Sequence, residues 1–167
     1  VDAKAVAQLH MENWRSAYKS IMPDWYLDNA MTEERMSLWE SRLSATANPQ
    51  QYVVIAETSG KAAGLACALL NEENEWGACL DNLHVLPHLR GSGIGRALFS
   101  KVAQWVLSTK PGWPLHLWVF EGNINARGFY ESFGGKLISI KKKEILRGVV
   151  VTSCLYLWTD LYDLLKK

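Results

Sequence analysis

Val6, His10, Trp14, Ala17, Tyr18 and Ile21 recur at helical intervals, which predicts a helix from Asp2 to about Ile21 with Asp2 as its cap. Pro23-Asp24 breaks that pattern. Thr32-Glu33-Glu34-Arg35 then reads as a second helix start, with Thr32 as cap and carboxylates in the first turn. Met36, Trp39 and Leu43 continue this helix, and Asn48-Pro49 ends it. The periodicity then changes. Tyr52 to Glu57 and Ala62 to Leu70 are β-rich runs joined by the turn Thr58-Ser59-Gly60-Lys61, a predicted hairpin. Asn71 to Glu75 is polar and reads as a loop, and Trp76 to Val85 as a further strand. Ile94, Leu98, Val102 and Trp105 mark one helix face, stopped by Lys110-Pro111-Gly112. Leu115 to Phe120 is a short buried strand. Ala126, Phe129, Tyr130 and Phe133 mark the last long helix face, ended by Gly134-Gly135. Lys136 to Ile145 and Val149 to Trp158 form a final hairpin across Arg147-Gly148, and Asp160 to Lys167 is a tail of one or two helical turns. The order α-α-β-β-β-α-β-α-β-β defines a mixed α/β (α+β) domain.

Length and composition narrow the function. A chain of 167 residues is one domain with room for a full core. A net charge of +1 gives no electrostatic basis for nucleic acid or an anionic membrane. No apolar run reaches the roughly 20 residues a bilayer requires, and no secretory signal is expected. Cys67, Cys79 and Cys154 are an odd number without CxxC spacing, so neither a disulfide framework nor a zinc site is expected, and free thiols fit a cytoplasmic location. His84 and His88 are separated by Pro87 and do not share a helix face as a metal pair would.

The chemistry concentrates in Arg90-Gly91-Ser92-Gly93-Ile94-Gly95-Arg96, directly before a helix. Glycines admit positive φ and close backbone approach, and a helix start offers unpaired N–H groups. Such a turn cradles a phosphate or a diphosphate; it also serves as a plain strand-to-helix turn. The GxxxxGK[ST] pattern of nucleotide hydrolases is absent. The glycines at 91, 93 and 95 do not follow Rossmann spacing, and an antiparallel hairpin precedes them.

Arg90-x-x-Gly93-x-Gly95, preceded by "LHVLP" and followed by a helix, resembles motif A of the GNAT superfamily of N-acetyltransferases. "NINARGFYESFGG", Asn123 to Gly135, resembles its motif B, with Asn123, Ala126, Phe129, Tyr130 and Gly134 in register; Gly135 stands where an aromatic is frequent. "ENWRSAYKSIMPDWYLDNAMTEER" is similar to the substrate-side helices of some bacterial members, and the family's first strand is missing or shortened. The resemblance implies a single acetyltransferase domain. Substrate-side helices span 1–47, a cofactor-binding core 52–135, a C-terminal hairpin 136–158 and a tail 159–167. It further implies a mostly antiparallel twisted sheet with splayed middle strands flanked by helices, acetyl-CoA as cofactor, and direct transfer to a primary amine in a ternary complex. A non-catalytic acyl-CoA sensor and a transferase of a longer acyl chain are the alternatives.

By the same resemblance, backbone amides around Gly91, Ser92, Gly93, Gly95 and Arg96, with Arg90, hold the diphosphate. Leu83 and Val85 pair with the pantetheine arm as a strand would, and the Leu83 N–H stabilises the oxyanion. Asn123 contacts the cofactor or caps its helix. Tyr130 protonates the leaving thiolate or packs in the core. For the general base, period-two alternation places Cys79, Asp81, Leu83 and Val85 on one strand face. Asp81 is therefore either a base near the reaction centre or one half of a salt bridge. Glu72, Glu73 and Glu75 are alternatives from the loop, and Cys79 stands where some relatives carry a carboxylate. Trp14, Tyr18, Trp25 and Tyr26 are either an aromatic acceptor wall or core. A small-molecule or peptide amine is the expected partner, and the edges of the last hairpin are compatible with a homodimer.

Overall fold

The structure, a computed structural model, describes residues 2–44, 48–70 and 75–166. The segment Asn71 to Asn74, with the candidate bases Glu72 and Glu73, lies outside the described residues.

Helix α1, Ala3–Tyr18, starts at Asp2, whose carboxylate accepts the Ala5 N–H at 2.7 Å. Pro23 does not only break the chain. Its carbonyl accepts the N–H groups of Tyr26 and Leu27, and a π-helical turn, Tyr26–Ala30, runs without interruption into α2, Met31–Arg42. Thr32 is therefore inside a helix and caps nothing, because proline is tolerated in a first helical turn where its missing N–H is not needed. Helix α2 ends at Arg42, ahead of the stop expected at Asn48-Pro49.

The strands are β1, Gln51–Thr58; β2, Lys61–Leu69; β3, Ala78–Val85; β4, Leu115–Phe120; β5, Lys136–Leu146; and β6, Val149–Trp158. They form one six-stranded sheet in the order β1-β2-β3-β4-β6-β5. Among the described residues only β3 and β4 are parallel, and they pair there solely through Ala78↔Leu115 and Cys79↔His116. Beyond those two pairs the strands separate, so the middle of the sheet opens as a wedge. Helices α3, Ile94–Thr109, and α4, Ile124–Ser132, cover one face, while α1 and α2 cover the other beside β1 to β3. A short α5, Leu161–Leu165, packs Leu161 and Leu164 into the α3 face.

Three apolar clusters hold these layers. Phe99, Val102, Leu117, Tyr130, Tyr156 and Trp158 belong to the α3–α4 face. Val6, Trp39, Leu65 and Cys67 lie beneath α1 and α2. Met22, Tyr26, Met31 and Val151 tie the π turn to β6. Gly135 belongs to this packing. A Cβ there would stand 2.6 Å from the Trp158 ring, so the space beside Gly135 is filled from β6.

A bulge in β3 corrects the expected face assignment. Cys67 pairs with Asn82 but Ala68 with Leu80, leaving Asp81 as the extra residue. Parity flips across it. Leu83 and Val85 share the α3–α4 face with Ala78 and Leu80, while Asn82 and His84 face α1 and α2. Cys79, Asp81, Leu83 and Val85 therefore do not form one continuous face.

Candidate active site

The wedge between β3 and β4 opens into a cavity of about 800 Å³. One wall is Leu83, His84 and Val85 of β3, and another is Leu117, Trp118 and Val119 of β4. Arg90, Gly91, Gly93, Gly95 and Arg96 form one end, Asn123 and Tyr130 lie on the α4 side, and Asn13, Ser16 and Tyr18 come from α1.

The glycine turn has the form a phosphate ligand requires. Gly91 and Gly93 hold φ of +83° and +89°, and a Cβ on either would meet nothing within 4 Å. The first helical bond of α3 is Ala97 N–H to Gly93 O. The N–H groups of Gly91, Gly93, Ile94, Gly95 and Arg96 therefore have no carbonyl partner among the described residues. Arg96 adds positive charge beside them. Ser92 does not join this set: its N–H and its hydroxyl both turn back to Leu89 O, at 3.3 and 2.6 Å, and it does not line the cavity. Arg90 leans away from the turn and donates to Asn13 Oδ1 at 3.0 Å and to Val85 O at 3.4 Å, tying the turn to α1.

The β3 edge is open in the same region. Leu86 N–H donates to Ala63 O, so the even-numbered residues of this stretch spend their backbone groups on β2. Leu83 and Val85 direct theirs to the opposite edge, where β4 has parted after Cys79 and Val85 O alone is met by Arg90 Nε–H at 3.4 Å.

Tyr130 is 8 % exposed and packs against Phe99, Phe129, Tyr156 and Trp158. Burial raises its phenol above the ordinary range. Its hydroxyl nonetheless has no hydrogen-bond partner among the described residues, although it belongs to a side chain lining the cavity. Core packing and exposure of the hydroxyl to the cavity thus coexist in one residue. Asn123 likewise does both things read for it. Its Oδ1 accepts Ala126 N–H at 3.2 Å, capping α4, and it lines the cavity.

Asp81 lines the cavity with one carboxylate oxygen, Oδ2, held by Arg42 Nη2 at 2.6 Å; a second nitrogen of Arg42 bonds Asn82. Cys79 is outside the cavity and burial pushes its thiol up to about 12, so no thiolate is available there. Glu75 is exposed and away from the cavity.

Of the four candidate acceptor-wall aromatics, only Tyr18 reaches the cavity. Trp14 is wedged among His10, Tyr18 and Phe120, with the Arg35 guanidinium 4.5 Å from its ring centre. Tyr26 is buried and donates to Glu34 Oε2 at 2.6 Å. Trp25 is 56 % exposed and away from the cavity. Two residues that strand and helix patterns do not single out take their place. Trp118, 41 % exposed on a strand that reads as buried, lines the cavity because β3 has parted from β4 there. His84 faces α1, its ring 4.4 Å from that of His10, and burial together with Arg35 and Arg90 lowers its pKa to about 3. The Trp118 signal is its parity, opposite to Leu117 and Val119.

Residues 10–135 match the acetyltransferase (GNAT) family, and the chain belongs to that family. It is 27 % identical over 163 residues to an uncharacterized N-acetyltransferase, YuaI, of Bacillus subtilis, covering 96 % of this chain and 89 % of that one. The fold is similar to the PaiA N-acetyltransferase of Thermoplasma acidophilum in complex with coenzyme A. The TM-score is 0.70 at 19 % identity, with 91 % of each chain covered. It is also similar to the microcin C7 self-immunity acetyltransferase MccE in complex with acetyl-CoA and AMP. There the TM-score is 0.70 at 16 % identity, with 95 % of this chain and 87 % of that one covered.

Proposed function

We propose that the chain transfers the acetyl group of acetyl-CoA directly to a primary amine held in the same cavity. The observation that carries this reading is the alignment, along one cavity, of turn amides and a Tyr130 hydroxyl without partners among the described residues, beside the stretch of β3 that β4 leaves unpaired. The similar structures that hold coenzyme A or acetyl-CoA support the same donor.

In this reading the amides of Gly91, Gly93, Gly95 and Arg96 grip the diphosphate, and Leu83 and Val85 hold the pantetheine arm by strand-like hydrogen bonds. The Leu83 N–H stabilises the oxyanion as the amine attacks the thioester carbon. Asp81, through its oxygen not engaged by Arg42, takes the amine proton by way of water. Tyr130 stays protonated until a thiolate forms beside it. Enclosure makes that thiolate a stronger base as well, so donation from a weakened phenol remains matched to its task. A cysteine relay has no support, since Cys79 lies outside the cavity as a neutral thiol.

The test is titration with coenzyme A, followed by an amine screen with acetyl-CoA read by thiol release. Saturable binding and amine-dependent thiol release are expected. Absence of binding overturns the reading. Binding without release from acetyl-CoA or longer acyl donors leaves only a sensor.

A further inference from the structure

We propose that Arg42 is a positioning residue for the transfer, aiming the Asp81 carboxylate at the acceptor amine. The proposal rests on the acetyl-transfer reading and on Asp81 as its proton acceptor. Arg42 is the last residue of α2 and does not itself line the cavity. Its Nη2 donates to Asp81 Oδ2 at 2.6 Å, and its Nη1 donates to Asn82 Oδ1. Successive side chains of a regular strand point to opposite faces, so one guanidinium does not reach both. The extra residue of the bulge, Asp81, lifts that constraint. A single planar fork from α2 thereby holds two neighbouring residues of β3 and sets the direction of the Asp81 side chain.

The fork is itself fixed. The Arg42 guanidinium lies 5.4 Å from the centre of the Trp39 ring, and Trp39 is fully buried with its Nε1–H on His10. The Arg42 carbonyl accepts Gln51 Nε2–H at 2.8 Å. Asp81 is the looser partner, its side chain 40 % exposed against 12 % for Arg42. Among the described residues Arg42 is the one group that holds its carboxylate, and Oδ1 is left for the cavity. Without that grip an exposed carboxylate on a bulge samples several rotamers, and only some of them present Oδ1 to the amine. Arg42 supplies orientation and exchanges no proton. The proton leaves the amine nitrogen and passes through water to Oδ1, and the freed nitrogen pair bonds to the acyl carbon. The carboxylic acid so formed returns its proton to solvent.

The test is steady-state thiol release from acetyl-CoA near neutral pH, with spermidine, Nα-acetyl-lysine and an alanyl peptide as acceptor probes. Wild type, Arg42→Met, Asp81→Asn and the double variant are compared, and coenzyme A affinity is titrated for each. Arg42→Met keeps an apolar stem over Trp39 and loses both hydrogen bonds. It is expected to lower kcat/KM for the acceptor about fivefold, to leave coenzyme A affinity unchanged, and to cost nothing further once Asp81 is Asn. Arg42→Lys keeps the charge but cannot fork to both residues. It is expected to lose about threefold and supplies the same comparison where Arg42→Met does not fold. Unchanged turnover in both Arg42 variants overturns the proposal. So does a loss that persists undiminished beside Asp81→Asn or that extends to coenzyme A binding, because a purely structural arginine gives either result. Asp81→Asn as active as wild type overturns it as well, while acetyl transfer stands. If wild type releases no thiol with any of the probes, the acetyl-transfer reading fails and the proposal with it.

Discussion

At the residue scale, Tyr130 combines a packed ring with a hydroxyl that has no hydrogen-bond partner among the described residues. Tyr130→Phe keeps the ring contacts with Phe99 and Trp158 and removes only the hydroxyl that the proposed mechanism uses as its acid. A fall in kcat of about 100-fold is expected, with coenzyme A affinity retained, measured by steady-state kinetics and calorimetric titration. Asp81 has a different signature. Asp81→Asn is expected to lower kcat/KM about tenfold near neutral pH. The loss should shrink as pH rises toward the amine's own pKa, because an amine that is already neutral needs no deprotonation before it attacks. A loss that is constant with pH assigns Asp81 to holding Arg42 alone. Sequence marked both residues, Tyr130 by its motif and Asp81 as a charge in an apolar strand. It did not mark Trp118, whose exposure depends on where neighbouring strands stop pairing.

At the element scale, the turn before α3 and the bulge in β3 shape the cavity. Gly93→Ala forces an L-residue to φ +89°, at a cost of roughly 1–2 kcal/mol, and puts a methyl group among the unpaired amides. Gly148→Ala is the matched control, since Gly148 holds φ +78° in the last hairpin, outside the cavity. Both variants are expected to lower Tm by a few degrees. Only Gly93→Ala is expected to weaken coenzyme A binding, by about tenfold, in the same titration. The glycine turn was legible because its requirement is local. The bulge was not: an added residue in β3 is defined only against β2, where Cys67 and Ala68 pair with Asn82 and Leu80. Strict alternation consequently put Asp81 and Leu83 on one face. Likewise, Thr32 had every local mark of a cap, and the π turn from Tyr26 overrode it through contacts with α1 and β6.

At the scale of the whole molecule, α1 closes over two enclosed histidines. His10 accepts Trp39 Nε1–H at 3.0 Å through Nδ1, and the Nε2 atoms of His10 and His84 have no partner among the described residues. Burial is the main cause that lowers both pKa values, with His84 at about 3. Unfolded imidazoles titrate at about 6.5, so between roughly pH 6.5 and 3 the unfolded chain binds more protons. Stability should therefore fall as pH drops through that window and level off above it. Thermal unfolding between about pH 4 and 8 checks this, and His84→Gln is expected to flatten part of the slope.

The sequence by itself determined the elements, their order, the glycine turn and the motif residues, because helix periodicity, strand alternation and turn chemistry act over a few neighbouring residues. Tertiary structure decided which of those residues share a cavity. It parted β3 from β4 after Cys79, carried Tyr18 to the cavity while leaving Trp14 and Tyr26 in packing, and gave Asp81 its arginine. The physical reason is that a cavity is bounded by contacts between distant elements. No local preference encodes where two strands cease to pair or which side chain of a helix fills the gap.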